Sequence, residues 1–134
     1  MIIQHIPTEK CAQTWSAIEK FIVEAHKHDS EDYSVDQIRQ FICTGQWILL
    51  VAIDKNVIKG AMTITFLNYP NDRIAFITCT GGNMIICQES YNQMVGIVKK
   101  FGATKVQTAV RESMSRLLSR VGFKNRYIVA EQRI

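Results

Sequence analysis

Apolar residues recur along the N-terminal third of the chain at the spacing of amphipathic helices. A short apolar run from Met1 to Ile6 stops at Pro7, which predicts a first strand. Ser34, with Gln37 three residues later, predicts the capping box of a second helix, and Gly45 predicts its end. Between Pro7 and Ser34, apolar positions that share one face predict a first helix. These positions are Cys11, Trp15, Ile18, Ile22 and Ala25.

Three runs rich in β-branched and aromatic residues predict strands in the middle of the chain. They extend over Trp47 to Ile53, Val57 to Leu67 and Arg73 to Thr80. Turn-forming residues separate the runs, so we expect an antiparallel meander. Gly60, inside the second run, indicates a bulge.

The helical spacing returns after a predicted loop, Thr80 to Asn83, and predicts a long helix ending at Gly102. A strand over Ala103 to Val110, a short helix beginning near Ser113 and a last strand over Phe123 to Ala130 complete the chain. The apolar face of the long helix consists of Cys87, Tyr91, Met94, Val98 and Phe101.

The element order is therefore β-α-α-β-β-β-α-β-α-β. It predicts a single α+β (mixed α/β) domain over residues 1–134, with one twisted mixed sheet flanked by helices. The 134 residues are 47% hydrophobic and 21% charged, which suits one folded core. Because no apolar run approaches roughly 20 residues, and the first residues lack a signal-peptide pattern, we expect a cytoplasmic protein without a membrane anchor.

Charge is distributed unevenly along the chain. Residues 1–67 carry a net charge of −2 and residues 68–134 a net charge of +6. The positive half could attract phosphates, a nucleotide cofactor or nucleic acid, but no base-stacking or recognition-helix motif accompanies it, so nucleic acid is disfavoured. The four cysteines lack Cys-x-x-Cys spacing, so we expect buried thiols and no metal site.

The element order and two local segments resemble the GCN5-related N-acetyltransferase (GNAT) family. The segments are Lys99 to Val106, where the long helix leads into the fifth strand, and Ser119 to Phe123, whose Gly-Phe pair ends the fourth helix. The resemblance covers nearly the whole chain and is mainly topological. The compact chain also looks like the small GNAT-like proteins that bacteriophages encode.

The resemblance implies that acetyl-CoA binds where the fourth and fifth strands part. Its pyrophosphate would lie on backbone N–H groups at the start of the long helix. The family motif Gln/Arg-x-x-Gly-x-Gly/Ala is replaced by a Gly-Gly pair, which is equally typical of a tight turn between strand and helix. The candidate cofactor-binding residues are Cys79, Thr80, Gly81, Gly82, Asn83, Met84 and Arg111.

Three positions to which the resemblance assigns catalysis carry other residues here. Leu118 stands where many members have a tyrosine that protonates the CoA thiolate, and it has no proton to donate. Arg111 and Glu112 replace an asparagine after the fifth strand. No carboxylate lies in the segment Ile74 to Cys79 to act as a general base. The catalytic residues are therefore unknown.

An acidic patch follows the first helix. In proteins of this family the connection between the first two helices forms a wall of the acceptor groove, so the resemblance implies that this patch contacts a cationic amine. The candidate substrate-binding residues are Asp29, Glu31 and Asp32.

Two functions remain open. The replaced catalytic positions favour a non-catalytic interaction module, which would bind a protein partner or a second copy, in a phage particle or during its assembly in the host cytoplasm. The alternative is an active acetyl-CoA-dependent N-acetyltransferase that acts on a small amine or a protein amine. Cys87, near a predicted helix N-terminus, is a further candidate nucleophile. The three histidines, however, lie within the first 28 residues, so we favour a buried thiol there.

Overall fold

A computed structural model describes residues 1–28, 32–84 and 87–134 of the chain. Within these ranges it contains five strands and four helices. The strands are β1 (Ile2–Ile6), β2 (Ile48–Asp54), β3 (Val57–Asn68), β4 (Arg73–Gly82) and β5 (Lys105–Thr108). The helices are α1 (Thr8–His26), α2 (Val35–Cys43), α3 (Gln88–Lys100) and α4 (Glu112–Ser119).

The first two helices form where the apolar spacing and the caps predict them. Pro7 occupies the N-cap position of α1, where its missing N–H costs no helical hydrogen bond. The predicted capping box of α2 is confirmed: Ser34 Oγ accepts from Gln37 N at 3.1 Å, and Ser34 N donates to Gln37 Oε1 at 2.9 Å. Gly45 follows the helix with φ +81°. These local signals start and end both helices.

The five strands form one mixed sheet in the order β1-β2-β3-β4-β5. The first four strands are antiparallel, and β5 lies parallel to β4. Ala52 pairs with Gly60 and Ile53 pairs with Ile58, so Lys59 is an extra residue in β3. The bulge therefore lies directly beside Gly60, as predicted.

Each face of the sheet has its own core. On one face α1 and α2 bury Ile18, Ile22 and Ile38 against Val51 and neighbouring strand residues. The other face packs against α3. Its buried residues include Leu50, Met62, Ile64, Ile77, Met84, Met94 and Val98. Successive residues of β2 alternate between the two cores, which is the period-two pattern of a strand buried on both sides.

Three sequence predictions were wrong about element boundaries. The predicted loop at Thr80 to Asn83 is mostly the end of β4, which pairs with β3 as far as Gly60↔Gly82. The fifth strand is shorter than predicted, covering only Lys105–Thr108. Residues 123–130 are described and contain no strand. Strand alternation alone is insufficient there, because a strand needs a hydrogen-bonded partner.

Candidate functional site

Strand β5 ends at Thr108, half-way along β4, and all four of its residues pair with β4. Their parallel pairing runs from Ile74↔Lys105 to Ile77↔Thr108. The Thr108 hydroxyl donates to the Ile77 carbonyl at 3.2 Å and closes this last contact. From there to Gly82, β4 has only β3 as a ladder partner among the described residues. Among the described residues the sheet therefore has a gap beside the second half of β4, beyond the end of β5.

A bulge in β4 lies close to the end of this pairing. Thr63 pairs with Cys79 and Ile64 pairs with Ile77, so Thr78 is the extra residue. The Thr78 hydroxyl donates to the Thr63 carbonyl at 3.1 Å and lies 2.8 Å from the Thr63 hydroxyl. A bulge bends its strand and increases the local twist, and this one lies one residue beyond the last β4–β5 pair.

The N-terminus of α3 follows β4 along the chain and presents backbone donors, of which those of Glu89 and Ser90 reach the Cys87 thiol. Backbone N–H groups of the first helical turn have no acceptor within a helix, and they lie at its positive end. The Cys87 side chain occupies this position, with its Sγ 3.5 Å from Ser90 Oγ. Hydrogen bonds from the side chain and backbone of Ser90, with one from the Glu89 backbone, lower the pKa of the Cys87 thiol. This helix start therefore stabilises negative charge.

Several solved acetyltransferase structures are similar in fold to this chain over almost its whole length. A probable acetyltransferase matches with a TM-score of 0.70 and 10% identity, over 100% of this chain and 97% of that chain. A predicted acetyltransferase from Clostridium acetobutylicum, solved with acetyl-CoA, matches with a TM-score of 0.65 and 12% identity, over 98% and 94%. An aminoglycoside acetyltransferase from an uncultured soil metagenomic sample matches with a TM-score of 0.69 and 11% identity, over 98% of this chain and 93% of that chain.

The chain has the GNAT-like fold. The fold class predicted from the element order is thereby confirmed, including the mixed sheet between helices. At such low identities the similarity concerns the fold alone. The sequence matches no protein-family model and none of the curated proteins.

Within the GNAT-like fold, the predicted glycine pair packs against the protein itself. A Cβ on Gly81 would lie 2.2 Å from the Phe21 carbonyl oxygen of α1. Gly82 has φ +71°, and its Cβ would lie 2.4 Å from the Lys59 carbonyl oxygen. Asn83 N donates to that same Lys59 carbonyl at 2.9 Å. The packing of α1 and β3 therefore accounts for both glycines and occupies the Asn83 donor.

The other candidate cofactor residues occupy different environments. Cys79 and Met84 are buried, on the α1 side and the α3 side of the sheet respectively. Thr80 is exposed on the part of β4 that borders the gap. Arg111 is exposed at the N-cap of α4, three residues after β5 ends. The structure thus brings Cys79 to Asn83 together along one side of the gap, and their role in cofactor binding stays a prediction.

The cysteine prediction was wrong for Cys87, which is exposed, and Cys43 is only half-buried. Cys11 and Cys79 are buried as predicted. Burial raises the pKa of the Cys11 thiol to about 11. The pKa of the Cys87 thiol, at the start of α3, is instead lowered from its ordinary value. The two thiols differ in pKa because they occupy different places in the fold. The spacing of the cysteines along the chain did not indicate this difference.

The acidic patch is only partly within the described residues. Asp29 and Glu31 lie outside them, and Asp32 is exposed. Directly after Asp32 the chain is anchored, because the His26 ring is hydrogen-bonded to the Tyr33 carbonyl and the Tyr33 ring lies edge-on to Trp47 at 4.8 Å. Substrate binding by this patch stays a prediction.

The threonines at the end of the β4–β5 pairing are residues that sequence reasoning missed. In the sequence these threonines are typical strand-forming residues, and their spacing does not distinguish them from other residues of the strands. They are Thr63, Thr78 and Thr108. In the described part of the chain, no group of three His, Cys, Asp or Glu side chains could hold a metal ion. None of the helices described here is both long and apolar enough to cross a membrane.

Proposed function

We propose that the protein binds an acyl-CoA, with acetyl-CoA as the first candidate, in the gap between β4 and β5. The observation that carries this proposal is the end of β5 opposite Ile77, one residue before the Thr78 bulge of β4, followed along the chain by the start of α3. An extended ligand with amide groups can pair with a strand edge. Phosphates suit the donors of a helix start, and the C-terminal half carries a net charge of +6.

We further propose that acyl transfer at this site is slow or absent. Direct transfer needs a base to remove a proton from the attacking amine and an acid to protonate the departing thiolate. Strand β4, Arg73–Gly82, and strand β5, Lys105–Thr108, contain no Asp, Glu or His. Leu118, at the position where the family resemblance places the proton donor, is a half-buried apolar residue of α4. The two strands that border the gap thus supply no acid–base pair for acyl transfer.

Thermal unfolding with and without acetyl-CoA tests the binding proposal. A ligand at a hundred times its Kd stabilises the folded state by about 2.7 kcal/mol, so the melting temperature should rise. Gln88→Glu adds a negative charge at the exposed start of α3 and should weaken binding severalfold. Gln13→Glu, on an exposed part of α1, is the matched control and should leave binding unchanged.

Two results would contradict the binding proposal. An unchanged melting temperature at millimolar acetyl-CoA would remove acyl-CoA as the ligand. Equal weakening by Gln88→Glu and Gln13→Glu would remove the start of α3 as the phosphate site.

Release of free CoA thiol in the presence of amines tests the second part of the proposal. A panel of a polyamine, an aminoglycoside and a peptide with a free N-terminus should give no release above spontaneous hydrolysis. Turnover near the usual enzyme range of about 1 s⁻¹ or faster would instead establish the alternative, an active N-acetyltransferase. In that case, neutralising Asp29, Glu31 and Asp32 together should raise KM for the cationic amines.

A protein-interaction role is the second candidate function, and the surface of α4 favours it. The helix has no buried residue, and its apolar Met114 and Leu117 are exposed. Ile128 and Val129 in the following segment are exposed as well. A second copy or another protein could cover this surface. Light scattering of the purified protein distinguishes a monomer from an oligomer, and co-purification tests for a partner, including one in a phage particle.

A further inference from the structure

A second cleft, of about 280 Å³, lies where the β3–β4 turn, the start of β5 and the C-terminal segment meet. Buried Ile74 contributes apolar surface to it, and the largely exposed Tyr69 and Tyr127 line it. We propose that this cleft binds a nucleotide, whose base stacks on a tyrosine ring and whose phosphate is held by Arg126. The nucleotide could be a free mononucleotide or one residue of a single strand.

The uncharged side chains of the cleft suit a nucleobase. Aromatic rings offer a face on which any base can stack, because every base is flat and aromatic. The side-chain amides of Asn71 and Gln107 line the same cleft. An amide presents both donors and an acceptor, which is the combination that matches the edge of a base. Stacking surfaces and edge-reading groups therefore occur together here.

The charges of the cleft leave a cation available for a phosphate. Lys105 Nζ lies 2.9 Å from Asp72 Oδ2, and the Thr104 hydroxyl donates to Asp72 Oδ1 at 2.9 Å, so the carboxylate is already occupied. Arg126 forms no ion pair within 4 Å to any residue that the structure describes, although its charge contributes to lowering the pKa of the Asp72 carboxyl in the same cleft. Its guanidinium carbon lies over one face of the Tyr127 ring, 5.4 Å from the ring centre, which leaves the other face of that ring and the Tyr69 ring for a base. A guanidinium beside an aromatic ring can hold a phosphate next to a stacked base.

The cleft is separate from the proposed acyl-CoA gap. It is lined by Ile74 and Lys105, where the pairing of β4 with β5 begins, whereas the gap opens after Ile77, where that pairing ends. At about 3.3 Å per residue, Cys79 lies roughly 17 Å along β4 from Ile74. A nucleotide in the cleft would therefore be distinct from the adenosine part of an acyl-CoA bound in the gap.

Titration with UMP, followed by calorimetry in the presence of saturating acetyl-CoA, tests this inference. The pyrimidine probe and the saturating acetyl-CoA keep the adenosine site out of the measurement. We expect UMP to bind, and uridine, without a phosphate, to bind about tenfold more weakly. Arg126→Gln should weaken UMP binding about tenfold, and Tyr127→Ala should do so by a similar factor.

Two variants serve as matched controls. Tyr127→Phe keeps the stacking ring and should retain UMP binding. Arg133→Gln removes a nearby arginine that does not line the cleft and should leave binding unchanged. Circular dichroism and the melting temperature of each variant show that it folds.

The two sources of the nucleotide give different results with a uridine oligomer of about ten residues. If the natural ligand is a single strand, the oligomer should bind at least tenfold more tightly than UMP, with strong salt dependence. If the natural ligand is a free nucleotide, the oligomer and UMP should bind with about equal affinity. Absence of binding by both probes at millimolar concentration would overturn the inference, as would UMP binding that neither Arg126→Gln nor Tyr127→Ala weakens.

Discussion

The Phe21 carbonyl of α1 lies directly against Gly81 of β4, so that a Cβ on Gly81 would stand 2.2 Å from the carbonyl oxygen. The contacted atom belongs to the backbone of a helix and cannot swing aside. The absence of a side chain at Gly81 is therefore what allows α1 to approach the sheet beside the candidate cofactor gap. A glycine that looks like part of a phosphate loop in the sequence is a packing residue in the fold.

Gly81→Ala should destabilise the protein by about 1 to 3 kcal/mol or more, because the methyl group overpacks the contact between α1 and β4. Gly96→Ala is the matched control. Gly96 lies inside α3, and a methyl group there would have no described atom within 4 Å beyond its own helix, so alanine should stabilise the helix by about 0.5 to 1 kcal/mol. Urea unfolding of both variants measures the difference. An unchanged free energy of unfolding for Gly81→Ala would contradict this contact.

Cys87 should react with iodoacetamide at a lower pH than Cys11. Hydrogen bonds from Ser90 lower the pKa of the Cys87 thiol, whereas burial raises that of Cys11 to about 11. The thiolate is the reactive form, so at neutral pH the label should enter Cys87 first, as measured by mass spectrometry of peptides. Ser90→Ala should raise the Cys87 pKa and slow its labelling, whereas Ser16→Ala, on exposed α1, should not. Faster labelling of Cys11 would refute the assignment.

Asp72 should make the protein more stable above its unfolded pKa than in acid. Hydrogen bonds from Lys105 and Thr104 lower the pKa of this carboxyl in the folded state. Its contribution is therefore present above the ordinary value of 3.8 and is lost as the pH falls through the lowered folded value. The stability difference between wild type and Asp72→Asn should shrink in acid, as shown by urea unfolding at a series of pH values.

Asp54→Asn is the control for the pH series, because Asp54 ends β2 far along the chain from this ion pair. Its stability difference from wild type should vary less with pH than that of Asp72→Asn. A constant difference between wild type and Asp72→Asn across the series would show that the ion pair does not form in solution.

Leu117→Ala should change the free energy of unfolding by no more than about 0.5 kcal/mol, because Leu117 on α4 is 42% exposed. Ile18→Ala should cost about 2 to 5 kcal/mol, since Ile18 on α1 is fully buried. Thermal and urea unfolding compare the two variants. If Leu117→Ala costs as much as Ile18→Ala, the apolar face of α4 is covered in solution, as the protein-interaction role requires.

The candidate site shows where sequence reasoning stopped. Residues 80–83 include a Gly-Gly pair, whose local chemistry favours a turn, yet pairing with Ala61 and Gly60 keeps both glycines in β4. The Thr78 bulge and the end of β5 at Thr108 mark the start of the gap. Neither has a signature in its own segment, because each depends on which residue of another strand lies opposite.

The sequence by itself determined the order of the first nine elements, their helical or extended character and, except for α4, the faces that they bury. Those properties follow from spacings of two and of three to four residues within one segment. Only the tertiary structure decided the registers, the Thr78 bulge, the end of β5 at Thr108 and the absence of a last strand over the described residues 123–130. These depend on contacts between distant parts of the chain, such as Phe21 with Gly81, and a local pattern of apolar residues does not specify which distant segments meet.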